Sequence, residues 1–156
     1  LETILHALAL TFCQANFVGH THPTAVNMIL CARQADEALQ GRLFAEEVTF
    51  CGPAPAVMDF GDPGLGLARG FRQALQEYKD RYGEPPRLVL IKNHGMVAIG
   101  KSAQEVKNIT DMYVKVARVL LGTYSLGGPN FLTQAQVDRI YTRPDEALRL
   151  KKLGSA

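Results

Sequence analysis

The block from residue 88 to 99 constrains this chain more than any other. Leu88-Val89-Leu90-Ile91 and Met96-Val97-Ala98-Ile99 are apolar runs separated only by Lys92-Asn93-His94-Gly95. Such short apolar runs read as buried strands. The residues between them make a tight connection, in which Gly95 supplies permissive backbone.

The segments around this block are mostly helical in pattern. Residues 2–13 read as an amphipathic helix, with Ile4, Leu5, Leu8 and Phe12 near helical spacing and no capping residue ahead of it. Residues 16–19 are extended and deliver His20-Thr21-His22. Pro23 suits the first turn of a helix over residues 24–32, and a brief helix over 36–40 is ended by Gly41. Residues 48–51 and 56–60 read as two strands broken by Gly52-Pro53-Ala54-Pro55. Leu67, Phe71, Leu75 and Tyr78 place a helix over 65–82. Ser102 and Glu105 form a capping box for a helix over 103–121, with Val106, Ile109, Tyr113, Val116, Val119 and Leu120 on one face. Thr133 caps a last helix through Tyr141, and the basic tail after Arg143 is expected to be exposed. Helices alternating with adjacent strand pairs favour a layered α/β or α+β domain over a doubly wound parallel sheet. A chain that opens inside a helix is expected to be a single domain, residues 1–156, lacking its N-terminal segment.

Composition excludes several function classes. With 17 basic and 15 acidic residues the net charge is +2, and the basic residues are scattered, so neither nucleic acid nor a membrane surface is the expected partner. No apolar stretch approaches a membrane span. Cys13, Cys31 and Cys51 are odd in number and lack CxxC spacing. They are expected to be small buried residues of a cytoplasmic protein rather than a disulfide framework.

Chemistry concentrates in the histidines, of which there are 4. His20 and His22 are two apart, and on an extended segment both imidazoles point to the same side and can reach one ion. Zinc binds histidine nitrogen at ~2.0–2.1 Å and in catalytic sites commonly takes three protein ligands and leaves a position open. His94, on a strand-to-strand turn, is the natural third ligand. Each motif alone has a plainer reading, as a surface or hydrogen-bonded pair and as a turn residue.

Taken together the motifs resemble a known family. Gly19-His20-Thr21-His22-Pro23, followed by a small-residue helix, is similar to the first metal motif of the class II aldolase/adducin family, and residues 90–102 resemble the second. Glu2-Thr3-Ile4-Leu5-His6 resembles the stretch that carries the family's acidic residue, and Phe60-Gly61-Asp62-Pro63-Gly64 the turn opening the intervening helix. The resemblance runs in order from Glu2 to about Thr123.

It implies a three-layer αβα fold with a mostly antiparallel central sheet, a Zn2+ or other divalent ion on His20, His22 and His94, and Glu2 as acid/base carboxylate. The implied activity is aldolase-type cleavage of a carbon–carbon bond in a small sugar or sugar phosphate through an enediolate. Epimerisation and dehydration are sister reactions, and a non-catalytic adducin-like binding module is the alternative from another class. A homo-oligomer, a tetramer by resemblance, is implied. So is a catalytic tyrosine, for which Tyr78, Tyr113, Tyr124 and Tyr141 are the candidates. His6 has no implied role. The family's phosphate loops lie upstream of the acidic residue, and Gly64 and Gly66 do not form one here.

Overall fold

The computed structural model describes residues 2–145. In chain order the elements are α1 (Thr3–Phe12), β1 (Phe17–Thr21), α2 (Thr24–Leu30), α3 (Ala35–Leu39), α4 (Ala45–Cys51) and β2 (Ala56–Met58). These are followed by α5 (Leu65–Tyr82), β3 (Leu88–Ile91), β4 (Gly95–Gly100), α6 (Ala103–Tyr124) and α7 (Gln134–Tyr141). The strands form one sheet in the order β1-β4-β3-β2. β4 is antiparallel to both β1 and β3, whereas β2 runs parallel to β3. The sheet is therefore mixed, not mostly antiparallel. The long α5 connection carries the chain from β2 back to enter β3 in the same direction, as a parallel pair requires.

Every residue of β3 and β4 is buried, and alternate side chains serve different cores. Leu88, Leu90, Met96 and Ala98 pack with α2, α4 and α6 on one face. Val89, Ile91, Val97 and Ile99 pack with α1 and α5 on the other. Strand alternation thus divides one hairpin between two hydrophobic layers, and the architecture is helix–sheet–helix. Fully burying such a side chain contributes about 1.5–3 kcal/mol, which makes this hairpin the strongest organising element.

Residues 48–51 are the end of helix α4, not a strand. The run Val48-Thr49-Phe50-Cys51 is rich in strand-favouring side chains, but the preceding turn decides the outcome. Glu46 and Glu47 stand in the first helical turn, where carboxylates favour the helix N-terminus. Glu47 also turns back, accepting from the Leu43 N–H at 2.7 Å and from Arg42 at 2.6 Å. Arg42 donates to the Leu39 carbonyl as well, at 2.5 Å, so one buried ion pair ties α3 to α4. Gly52, at φ +88°, ends the helix.

Ser102 caps α6 as its spacing predicts, its hydroxyl accepting from the Glu105 N–H at 3.1 Å. The Glu105 carboxylate accepts from the Lys101 N–H at 2.6 Å, and a reciprocal capping box is formed at Thr133–Gln136. α6 runs past Gly122 to Tyr124. Ile109, Tyr113, Val116 and Leu120 are buried, Val106 is partly so, and Val119 is exposed. All three cysteines are free thiols, and Cys31 is exposed, contrary to its expected burial. Among the described residues no helix is long and apolar enough to cross a membrane. The basic tail beyond Asp145 lies outside the described residues.

The α6 stripe yields a direct test. Ile109 is 1% exposed, so Ile109→Asn removes packing and buries an amide, costing on the order of 2–4 kcal/mol. Urea unfolding followed by circular dichroism should show a lowered midpoint. An unchanged midpoint would contradict the packing described.

Candidate metal centre

Glu2, His20, His22 and His94 come from three separate parts of the fold and meet at one end of the sheet. Glu2 is the N-cap of α1, yet its side chain makes no capping hydrogen bond. The carboxylate reaches across instead, Oε2 lying 3.0 Å from His20 Nδ1 and Oε1 3.2 Å from His94 Nε2. His20 sits in β1 opposite Val97 of β4, and His22 lies just past the strand end. His94 occupies the turn between β3 and β4. That turn returns the chain beside β1, because Thr21 pairs with Met96, the residue after Gly95.

The three imidazoles form a compact cluster. Ring centroids are 4.9 Å apart for His20–His22 and His20–His94, and 5.1 Å for His22–His94. One nitrogen from each ring can be chosen so that all lie within 4.8 Å of one another. The His20 and His22 side chains face each other through Nε2 atoms 3.2 Å apart. Two nitrogens bound tetrahedrally to one zinc at ~2.1 Å stand about 3.4 Å apart, so this pair already has ligand spacing. A His20 that donates its Nδ1 proton to Glu2 carries a lone pair on Nε2, and a carboxylate behind a ligating imidazole is a common arrangement at zinc. The donor set therefore fits a divalent ion.

Burial grades across the cluster. The side chain of His20 is 5% exposed, that of His94 13% and that of Glu2 37%. Burial holds the His20 imidazole below its ordinary pKa; Glu2 opposes this, while His94, His22 and His6 reinforce it. A neutral ring is the form that ligates metal. His6 stands one helical turn after Glu2, its ring 6.0 Å from that of His20. It flanks the cluster without joining it.

The profile of the class II aldolase and adducin N-terminal domain matches residues 1–121. The chain belongs to this family. Solved structures share the fold of this family member at low identity. An L-fuculose 1-phosphate aldolase superposes with a TM-score of 0.67 at 17% identity, over 90% of this chain and 61% of its own. A sugar-phosphate aldolase from Thermotoga maritima gives 0.63 at 20%, over 83% and 54%. An aldolase II superfamily protein from Pseudomonas syringae gives 0.59 at 14%, over 97% and 59%. The chain thus spans little more than half to three-fifths of the length of these structures. No curated protein sequence matches it.

The structure assigns Gly95 a reason different from turn flexibility. The left-handed residue of the turn is Asn93, at φ +56°. At Gly95 an added Cβ would lie 2.4 Å from His22 Cδ2 and 2.6 Å from the Thr21 carbonyl. The missing side chain is what allows His22 to lie against β4. Sequence reading also passed over Lys92, whose ammonium pairs with Asp36 and Asp59; its signal was only a lysine ending an apolar strand. Of the candidate tyrosines, Tyr78 and Tyr113 are buried in opposite cores, Tyr124 is exposed on α6, and the Tyr141 hydroxyl contacts Glu84.

Gly95→Ala should displace both the His22 ring and the Thr21 carbonyl at the end of β1, since the added Cβ would lie 2.4 Å and 2.6 Å from them. NMR cross-relaxation between the His20 and His22 rings, present in the parent, should weaken or vanish. An undiminished contact in the variant would contradict this account.

Proposed function

We propose that this chain carries the metal centre of an aldolase-type lyase cleaving a carbon–carbon bond in a small sugar or sugar phosphate. The observation that carries the reading is the convergence of His20, His22, His94 and Glu2, with the carboxylate bridging two imidazoles at 3.0 and 3.2 Å. Family membership supports it.

In this reading His20, His22 and His94 hold a divalent cation, zinc first among the candidates, leaving a face open. Bound there, the cation supplies Lewis acidity toward substrate oxygens and offsets the negative charge that builds when the carbon–carbon bond breaks. The Glu2 side chain is partly open to solvent, and its carboxylate is the group placed to give or take the proton on carbon. Its contacts with His20 and His94 keep it at the cluster, while its position at the start of a helix leaves it reachable from solvent. His20, nearly closed to solvent, is a neutral donor rather than a proton carrier.

Two measurements test the reading. Purified protein should contain about one divalent ion per chain by elemental analysis, the count of a single three-histidine site. His20→Ala and His94→Ala should lose it. Variants that retain metal equal to the parent would refute the ligand set.

Glu2→Gln should keep its metal but lose proton exchange on the carbon beside the ketose carbonyl. Glutamine preserves size and hydrogen bonding but cannot take up a proton. The drop should be roughly 10²–10⁴-fold, the scale for a positioned general acid or base. Deuterium exchange followed by NMR, over a panel of ketoses and ketose phosphates, reads it. Exchange without cleavage would favour the sister epimerase reaction, and equal exchange in both proteins would remove Glu2 from the mechanism. No turnover of any substrate despite bound metal would favour an adducin-like module.

A further inference from the structure

We propose that Lys92 is a positioning residue for the metal centre. Its paired contacts with Asp36 and Asp59 hold the turn that carries His94, and so set how tightly the histidine cluster takes a divalent ion. The inference rests on the metal reading given above.

Main-chain bonds fix the turn to three neighbours. The Lys92 N–H donates to the Met58 carbonyl at 3.0 Å, the Asn93 N–H to the Leu30 carbonyl at 3.1 Å, and the His94 N–H to the Ile91 carbonyl at 3.1 Å. The turn therefore touches the end of β2, the end of α2 and its own strand, with Asn93 in the left-handed region. The Lys92 side chain adds a second set of ties. Its Nζ lies 2.5 Å from Asp36 Oδ1 on α3 and 2.9 Å from Asp59 Oδ1 just beyond β2. The lysine side chain is only 20% exposed, whereas the two aspartates are 82% and 87% exposed. One lysine with a mostly covered side chain thus joins two open carboxylates from separate elements, two residues before a proposed metal ligand.

Ion pairs to such exposed carboxylates contribute little to global stability. Their effect is local, because a tetrahedral site tolerates small errors in donor position poorly. Groups hydrogen-bonded directly to metal ligands typically change affinity 10–100-fold. Lys92 acts one step further out, through the backbone of the turn, so a smaller change is expected.

Electrostatics alone predicts the opposite sign. Removing Lys92 deletes a positive charge and leaves Asp36 and Asp59 unneutralised, which by Coulomb attraction would favour a cation. Positioning predicts weaker binding.

The experiment is zinc affinity by competition with a chromophoric chelator, at fixed ionic strength, for the parent, Lys92→Met and Lys92→Arg. Metal-free unfolding in urea is measured in parallel. Lys92→Met, which keeps the apolar stem, should bind zinc roughly 3–10-fold more weakly, below the range for directly bonded partners, with its unfolding midpoint near that of the parent. Lys92→Arg, which keeps the charge, should recover most of the affinity. Unchanged or tighter binding in Lys92→Met overturns the proposal while leaving the metal reading intact. Weakened zinc binding that tracks a lowered unfolding midpoint also overturns it, since Lys92 would then support the fold alone. A parent that takes up no zinc refutes the metal reading first and this proposal with it.

Discussion

Two adjacent strands without an exposed face impose more on this molecule than any other feature. β3 and β4 can be stable only if apolar layers cover both sides of the hairpin. The chain supplies α1 and α5 for one side and α2, α4 and α6 for the other. Each buried aliphatic side chain contributes about 1.5–3 kcal/mol, against roughly 0–1 kcal/mol for an exposed ion pair. The position of the remaining elements follows. β1 pairs along β4, β2 along β3, and the turn joining the two buried strands meets the exit of β1 at one end of the sheet. The histidines are brought together by strand pairing before any attraction among them matters.

Much of this was legible in the sequence, and the reasons differ by segment. The apolar runs at 88–91 and 96–99 were plain, because full burial leaves no polar residue to blur them. α5 and α6 were clear because their length gives the 3.6-residue period room to show. Residues 48–51 were misread as a strand, since four strand-favouring residues in a row carry no period. Their helical state depends on Glu47 reaching back to Leu43 and Arg42, a contact decided by tertiary burial. The parallel alignment of β2 was equally hidden, because strand direction is set by the path of α5 and not by any residue within β2.

The candidate site shows a similar division. His20, His22 and His94 stand out by type and by strand position, and Glu2 only by the family resemblance of residues 2–6. The missing cap at Glu2 was visible as an irregularity, and the structure explains it: the carboxylate that could have capped α1 is turned toward two imidazoles. Gly95 was noticed for the wrong reason, since close approach by a ring from another strand leaves no local trace. Lys92 was overlooked altogether, because its partners lie on α3 and after β2, far away in sequence.

The site is divided between a firm element and a loose one. His20 and His94 belong to paired strands or the turn between them, where amide protons are released only when much of the domain opens. Glu2 belongs to the first turn of a helix that lacks a side-chain cap, and such ends fray on far shorter timescales. The imidazoles of His20 and His94 are thus held by paired backbone, and the carboxylate by an uncapped helix start. A group that must take a proton at one atom and return it at another gains from that freedom, whereas a coordination geometry would be spoiled by it. Under the proposed reading, the uncapped start of α1, a small local loss of stability, gives the acid/base carboxylate more freedom to shift than the strand-held imidazoles of His20 and His94.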